Sequence, residues 1–287
     1  MGHLIVNADD FGLTAGVNRA IDELHRAGVL TSATLMANAA ASADAVRMAL
    51  IRPTLGVGCH IVLVDGAPVL PPRQIPTLVD RKTGLFKRTL GEFLQRLFAG
   101  LIGSEEIEAE SAAQISLLQS EGLALTHVDT HKHIHMFPTV LRPVLRATAG
   151  AGIRAIRNPF EPAWSLRATR SASWPRRTQL HLLRQLSPGF RKQVAQAGLA
   201  TTDGVIGVLA TGSLDAATVD SLLKALPPGA WELIAHPGYN DADLAKTQTR
   251  LMASRETERV ALNTIKQFPE IDLICFADLR RGSSPVP

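Results

Sequence analysis

From His127 to His135 every second residue carries an ionisable side chain able to bind a metal: His127, Asp129, His131, His133 and His135. Alternate residues of an extended strand project to one face, so the spacing predicts four imidazoles and one carboxylate in a row on a common side. Each two-residue step advances a strand by about 6.6 Å, so the row would cover about 26 Å and cannot surround one ion. Only one or two of the five can be direct ligands. The other donors must come from elsewhere, and the chain offers Asp9 and Asp10 near its start, His60, and His236.

The 287 residues suit a single α/β barrel. Hydrophobic residues at 46% and charged residues at 20% describe an ordinary globular chain and exclude a disordered or fibrous one. Two cysteines, Cys59 and Cys275, are too few for a disulfide scaffold. Met1 leads into Leu4-Ile5-Val6-Asn7-Ala8 with neither a basic leader nor a long apolar run, so the expectation is a cytoplasmic protein without signal peptide or membrane anchor. The formal charge of +4 is too mild to indicate nucleic acid. Its distribution says more. Between Pro162 and Thr202 there is no Asp or Glu, while Arg167, Arg170, Arg176, Arg177, Arg184, Arg191 and Lys192 all fall there. Such a segment suits an anionic membrane surface or a phosphorylated or lipid-linked substrate, or is a solvated surface excursion. No heptad or long exposed apolar stripe defines an oligomeric state.

Short apolar, β-branched runs predict strands over Leu4–Ala8, Val29–Met36, Leu55–Leu63, Leu123–Thr130, Ile153–Arg157, Gly204–Leu209, Trp231–Ala235 and Leu273–Phe276. Helical patterns lie between them, over Ala15–Ala27 with Thr14 as N-cap and Gly28 beyond its end, Ala41–Leu50, Glu105–Ser120 after Ser104, Leu214–Leu226 and Ser254–Phe268. Alternation of this kind favours a parallel sheet with right-handed crossovers, closed or partly closed into a barrel. Residues 68–88 and 159–198 break the pattern and read as loop or lid insertions in one catalytic domain spanning 1–287.

In parallel α/β folds ligand-binding groups gather where strands end. Asp9-Asp10 ends the first predicted strand, His60 lies near the end of the third, Asp129 and His131 end the fourth, and His236 follows Trp231–Ala235. Neighbouring strand residues face opposite ways, which suits Asp10 as a ligand and Asp9 as a general base, or both as the start of a turn. His60, taken alone, reads more readily as a hydrogen-bonded core histidine than as a ligand. His131 is the best ligand of the row, with Asp129 placed to fix its tautomer, His127 deeper and structural, and His133 and His135 either meeting substrate or solvated. His236-Pro237-Gly238-Tyr239 is a rigid turn suited to a general acid.

The segments Ile5-Val6-Asn7-Ala8-Asp9-Asp10-Phe11-Gly12-Leu13, Thr31-Ser32-Ala33-Thr34, Gly58-Cys59-His60, Thr126 to Pro138 and Glu232-Leu233-Ile234-Ala235-His236-Pro237-Gly238-Tyr239 together resemble the YdjC-type carbohydrate deacetylases, in order and across nearly the whole chain. The resemblance implies a (β/α)-barrel-like glycoside hydrolase/deacetylase fold, and a divalent metal at the positions of Asp10, His60 and His131. It also implies hydrolysis of an N-acetyl group from an amino sugar, free or lipid-linked, with acetate released. Magnesium is the ion the resemblance suggests, whereas two imidazoles and a carboxylate suit zinc as well. In this scheme Asp9 is the base and His236 the acid, and Arg157 or Asn158 orients the sugar. The rival readings are a metal-dependent glycosidase, a non-haem iron oxygenase using His127-x-Asp129, and a non-catalytic sugar or lipid-headgroup binder.

Overall fold

The computed structural model describes residues 2–170, 173–247 and 249–279. The elements run in the order β1 (Gly2–Phe11), α1 (Ala15–Arg26), β2 (Ser32–Leu35), α2 (Ser42–Leu50), β3 (Gly56–Ile61), α3 (Leu90–Phe98), α4 (Ser104–Ser120), β4 (Val128–Thr130) and α5 (Pro138–Gly150). There follow α6 (Ala163–Ala168), α7 (Trp174–Leu183), α8 (Ser187–Gln196), β5 (Gly204–Ile206), α9 (Ala216–Lys224), β6 (Gly229–Ala235), α10 (Ala253–Ala261) and β7 (Asp272–Leu273). All strand pairs in the sheet are parallel, in the order β4-β3-β2-β1-β6-β5. One edge of β1 is shared: β7 pairs with its start at His3 and Leu4, and β2 takes over from Asn7.

The sheet curls. Arg157 donates its backbone N–H to Val128 in β4, Ile156 donates to Ala200, and Val205 in β5 donates to Phe160. Residues 154–160 therefore bridge the two ends of the sheet and give the barrel-like α/β architecture. Single bridges at Val128–Ile156 and Ala155–Ala200 are all the regular pairing there, so the strand expected over Ile153–Arg157 exists only as bridged extended chain.

Local chemistry sets the elements. On α1, Val17, Ala20, Ile21 and Leu24 form the buried stripe. Thr14 caps its first turn by accepting from the Val17 N–H, and Gly28 follows with φ of 70°. Asp215 caps α9 in the same way through the Thr218 N–H at 2.8 Å. The expected fourth strand shrinks to Val128–Thr130, and the one at 273–276 to Asp272–Leu273. Two helices, α3 and α5, lie where the sequence indicates none; Pro143 sits inside α5, where its missing N–H and fixed ring normally argue against helix. In the segment 159–198, expected as a loop or lid insertion, the described residues form α6, α7 and α8. The segment 68–88 is mostly irregular, and α4 pins its start, Glu110 accepting from the Val69 and Leu70 N–H groups at 2.8 and 3.0 Å.

Candidate metal centre and active site

Asp9 and Asp10 would diverge in a regular strand, but β1 is not regular there. Its register with β2 shifts between Ala8 and Phe11, and Asp10 adopts φ of 65°. A bulge of this kind re-aims side chains at the cost of a residue in the left-handed region. Both carboxylates consequently reach one basin at the carboxyl ends of the strands.

Three donors converge in that basin. Asp10 Oδ1 lies 3.6 Å from His60 Nε2 and 3.5 Å from His131 Nδ1, and the two imidazole nitrogens are 3.3 Å apart. The donor atoms of Asp10, His60 and His131 all fall within 4.8 Å of one another. Two of the three are held from behind. Arg255 Nη2 donates to Asp10 Oδ2 at 2.6 Å, and His60 Nδ1 is bonded to Asp129 Oδ1 at 2.7 Å. One carboxylate oxygen and two imidazoles, oriented by outer partners, have the chemistry of a divalent-metal face, so the residues fit the ion. Asp129 serves His60 here, not His131. Burial alone would lower the His60 pKa, yet Asp129, Asp9 and Asp10 lift it to about 9. A metal at Nε2 must therefore displace a firmly held proton.

Behind the donors lies a closed charge network centred on Arg157, which is fully buried. Its Nη1 and Nη2 donate to Asp9 Oδ2 at 2.9 Å and Oδ1 at 2.6 Å, its Nε and Nη2 donate to Glu232 Oε1 at 2.8 and 2.6 Å, and Nη1 also meets Asp129 Oδ2. Burial would raise the Asp9 and Asp129 carboxyls, but Arg157 and His60 hold both below the usual carboxylate range. Glu232 is less favoured, and burial pushes it up to about 7 in spite of Arg157. Asp9 also accepts from Asn7 Nδ2 at 3.0 Å and Thr34 Oγ1 at 3.3 Å, both at Oδ1, which leaves Oδ2 the less crowded oxygen.

His236 stands across that oxygen, its Nε2 3.9 Å from Asp9 Oδ2 and its Nδ1 3.5 Å from Glu258 Oε2. Glu258 also accepts the His236 backbone N–H at 2.6 Å and the Gly212 N–H at 3.1 Å, which fixes the turn after β6. Burial works against an imidazolium here, but Glu258, Asp9 and Asp10 raise the His236 pKa above its ordinary value.

The alternating row does not remain a strand. Lys132 and His133 adopt φ of 60° and 54°, and the chain turns through His131–Met136, so the five side chains do not share one face. His127 lies deeper in the interior, stacked on Phe276 at 3.7 Å between ring centres, and burial pushes its pKa down to about 3. A Cβ on Gly58 would sit 2.4 Å from that ring, which accounts for glycine there. His135 is neither solvated nor open to a ligand: it is buried, with Nδ1 bonded to Thr130 Oγ1 at 2.7 Å and Nε2 to the Arg157 carbonyl at 3.1 Å. His133 is half-buried with an unpartnered Nδ1. Arg157 and Asn158 are both closed off from a sugar; Asn158 Nδ2 donates to the Thr202 carbonyl at 3.0 Å and its Oδ1 accepts from the Phe160 N–H at 3.2 Å. Arg157 instead orients Asp9.

Sequence reasoning missed three members of the site. Glu232 was marked by a charge within the apolar run Trp231–Ala235. Arg255 and Glu258 left no such mark, because an arginine and a glutamate three apart on a helix with mixed charges look like solvated surface until Arg255 is seen reaching Asp10 and Glu258 the His236 turn.

A curled parallel sheet with an Asp-His-His donor set and an Asp-His pair at its carboxyl rim defines a barrel-like α/β protein with a candidate metal-assisted hydrolytic centre. Residues 3–268 match the family described as YdjC-like protein, and the chain belongs to that family. It is 35% identical over 285 residues to a carbohydrate deacetylase of Brevibacillus brevis, covering 96% of this chain and 99% of the relative. It is 29% identical to a carbohydrate deacetylase of Thermoanaerobacter pseudethanolicus, covering 91% of each. Among solved structures, an Enterococcus faecalis V583 protein named for cellobiose-phosphate cleavage superposes with a TM-score of 0.76 at 25% identity, covering 96% of this chain and 97% of that one.

Proposed function

We propose that the protein is a metal-dependent carbohydrate deacetylase that hydrolyses the acetamide of an N-acetylated amino sugar. The observation that carries this reading is the convergence of the Asp10, His60 and His131 donor atoms within 4.8 Å of one another, beside a carboxylate and an imidazole left outside that set. Family membership and the names of the relatives support it. A divalent cation held by Asp10, His60 and His131, zinc or magnesium, would polarise the acetyl carbonyl and make a water acidic enough to attack it. Two imidazoles favour a transition ion over magnesium, which prefers oxygen donors.

The chain's own residues divide the proton work. Asp9 Oδ2 takes the proton of the attacking water, and Arg157 keeps that carboxylate ionised and aimed, giving up some basicity for position. His236 Nε2, held in its protonated form by Glu258, donates to the departing amine. Purified protein supplied with zinc or magnesium and diacetylchitobiose is expected to release acetate. Asp9→Asn should lower kcat by about 100-fold or more while retaining metal affinity. Release of monosaccharide without acetate would mean a glycosidase, and binding without conversion would mean a sugar-binding protein; either defeats the proposal.

The pH profile offers a second check. Because the His236 pKa is raised, its protonated form persists above the ordinary imidazole range and activity falls only as pH climbs through that raised value. In Glu258→Gln the supporting charge is gone, so the alkaline limb of the kcat/KM profile is expected at lower pH. An unmoved alkaline limb would remove His236 from the role of acid.

A further inference from the structure

The segment without acidic residues from 162 to 202 contributes seven cations, and without them the chain would be net negative. It folds into α6, α7 and α8, and α7 shows two different faces. Leu180 points inward and packs against Val205, Val208 and Ile234 beside β5 and β6, while Arg176 Nη2 donates to the Val208 carbonyl at 2.9 Å. That seats α7 at the carboxyl ends of β5 and β6, on the rim that carries His236. The opposite face, at helical spacing, presents Trp174, His181 and Leu182. Trp174 is 77% exposed, the most of any large apolar side chain among the described residues, and Leu182 is 63% exposed.

A monomer gains nothing from holding a tryptophan and a leucine in water, whereas the two together on a cationic helix match the boundary of a bilayer. An indole settles at the headgroup level, a leucine enters the acyl edge, and nearby arginines and lysines meet anionic headgroups. Part of the charge in this region is compensated, Arg191 lying 4.0 Å from Asp203, and part is not. Arg177 spends its hydrogen bonds on the neutral Leu166 and Thr169 carbonyls, and Arg167 and Lys192 are exposed. A protein partner would be expected to ask for acidic as well as basic groups around such a patch, and nucleic acid has no use for Leu182.

We infer that the outward face of α7, with Trp174 and Leu182 at its centre, is a peripheral contact surface for an anionic lipid bilayer. Seated on the rim, it turns the mouth of the barrel toward the lipid headgroups; a lipid-borne amino sugar as substrate rests additionally on the function proposed above.

Co-sedimentation of the full chain with vesicles tests the contact without any catalytic readout. Binding to phosphatidylcholine vesicles containing phosphatidylglycerol is expected to be about tenfold or more tighter than to phosphatidylcholine alone, and to weaken in high salt. Brominated phosphatidylglycerol should quench Trp174, since Trp231 is buried and the half-buried Trp164 is packed on it at 5.1 Å. The quenching should vanish in Trp174→Phe. The double variant Trp174→Ala/Leu182→Ala, both sites being on the surface, should keep its circular dichroism and its acetate release from diacetylchitobiose while losing about tenfold in vesicle affinity. No vesicle binding, equal binding to neutral and anionic vesicles, full binding by the double variant, or burial of Trp174 in a dimer of the free protein would each overturn the inference. Vesicle binding with no acetate released from any N-acetylated sugar would leave the contact standing and count against the deacetylase reading alone.

Discussion

Replacing His131 with alanine is expected to lower divalent-metal affinity by more than about a hundredfold, measured by calorimetric titration of the metal-stripped protein, and to abolish acetate release. Loss of a partner behind a ligand costs about 10- to 100-fold, so loss of one of three donors should exceed that range. The geometry makes His131 the sensitive position. Asp10 and His60 are each fixed from behind by Arg255 and Asp129 and would remain in place without it, as a two-donor site too weak to retain an ion. Asp129→Asn, which leaves all three donors but loosens His60, should fall within the 10- to 100-fold range. If His131→Ala binds zinc like the parent protein, the ligand assignment fails even if activity is lost.

The second large effect is on stability. Arg157→Met should destabilise the fold by about 3–5 kcal/mol in urea unfolding, because it leaves the buried Asp9, Asp129 and Glu232 with no guanidinium among them. The pH dependence carries a definite sign. Asp9 and Asp129 have folded pKa values below their unfolded ones, so their contribution is present above the unfolded carboxylate pKa and is lost as pH falls through the folded values. The variant lacks that contribution, so its deficit should be greatest near neutral pH and shrink in acid. Adding Glu232→Gln to Arg157→Met should recover part of the loss, since one fewer carboxylate is left unpaired. A single variant within about 1 kcal/mol of the parent would mean that the four groups do not act as a unit.

The candidate site residues stood out in the sequence because each lies at the end of an apolar run, where a charged or imidazole group is conspicuous. Asp10, His60, His131 and His236 all carried that signal. The alternating histidines misled because period two holds only while the backbone stays extended, and Lys132 and His133 leave that region in consecutive steps. Arg157 was visible as a residue but not in its role, since a strand-end arginine reads as a substrate clamp until three buried carboxylates are found around it. The bulge at Asp9-Asp10 had no local signature; only the pairing of β1 with β2 reveals it. Likewise α3 and α5 acquire their reason from packing, in which the buried side chains of Val140, Leu141 and Val144 outweigh the proline between them.

The first strand of this barrel borrows part of its edge from the last. His3 and Asp272, 269 residues apart, lie side by side through β7 and are tied by a 2.8 Å side-chain hydrogen bond. During synthesis this edge of β1 must therefore wait for β7 to leave the ribosome before its lower part is paired. Folding of the barrel floor is thereby tied to the arrival of β7, and the basin at the opposite end waits almost as long, because Arg255 and Glu258 reach it from α10.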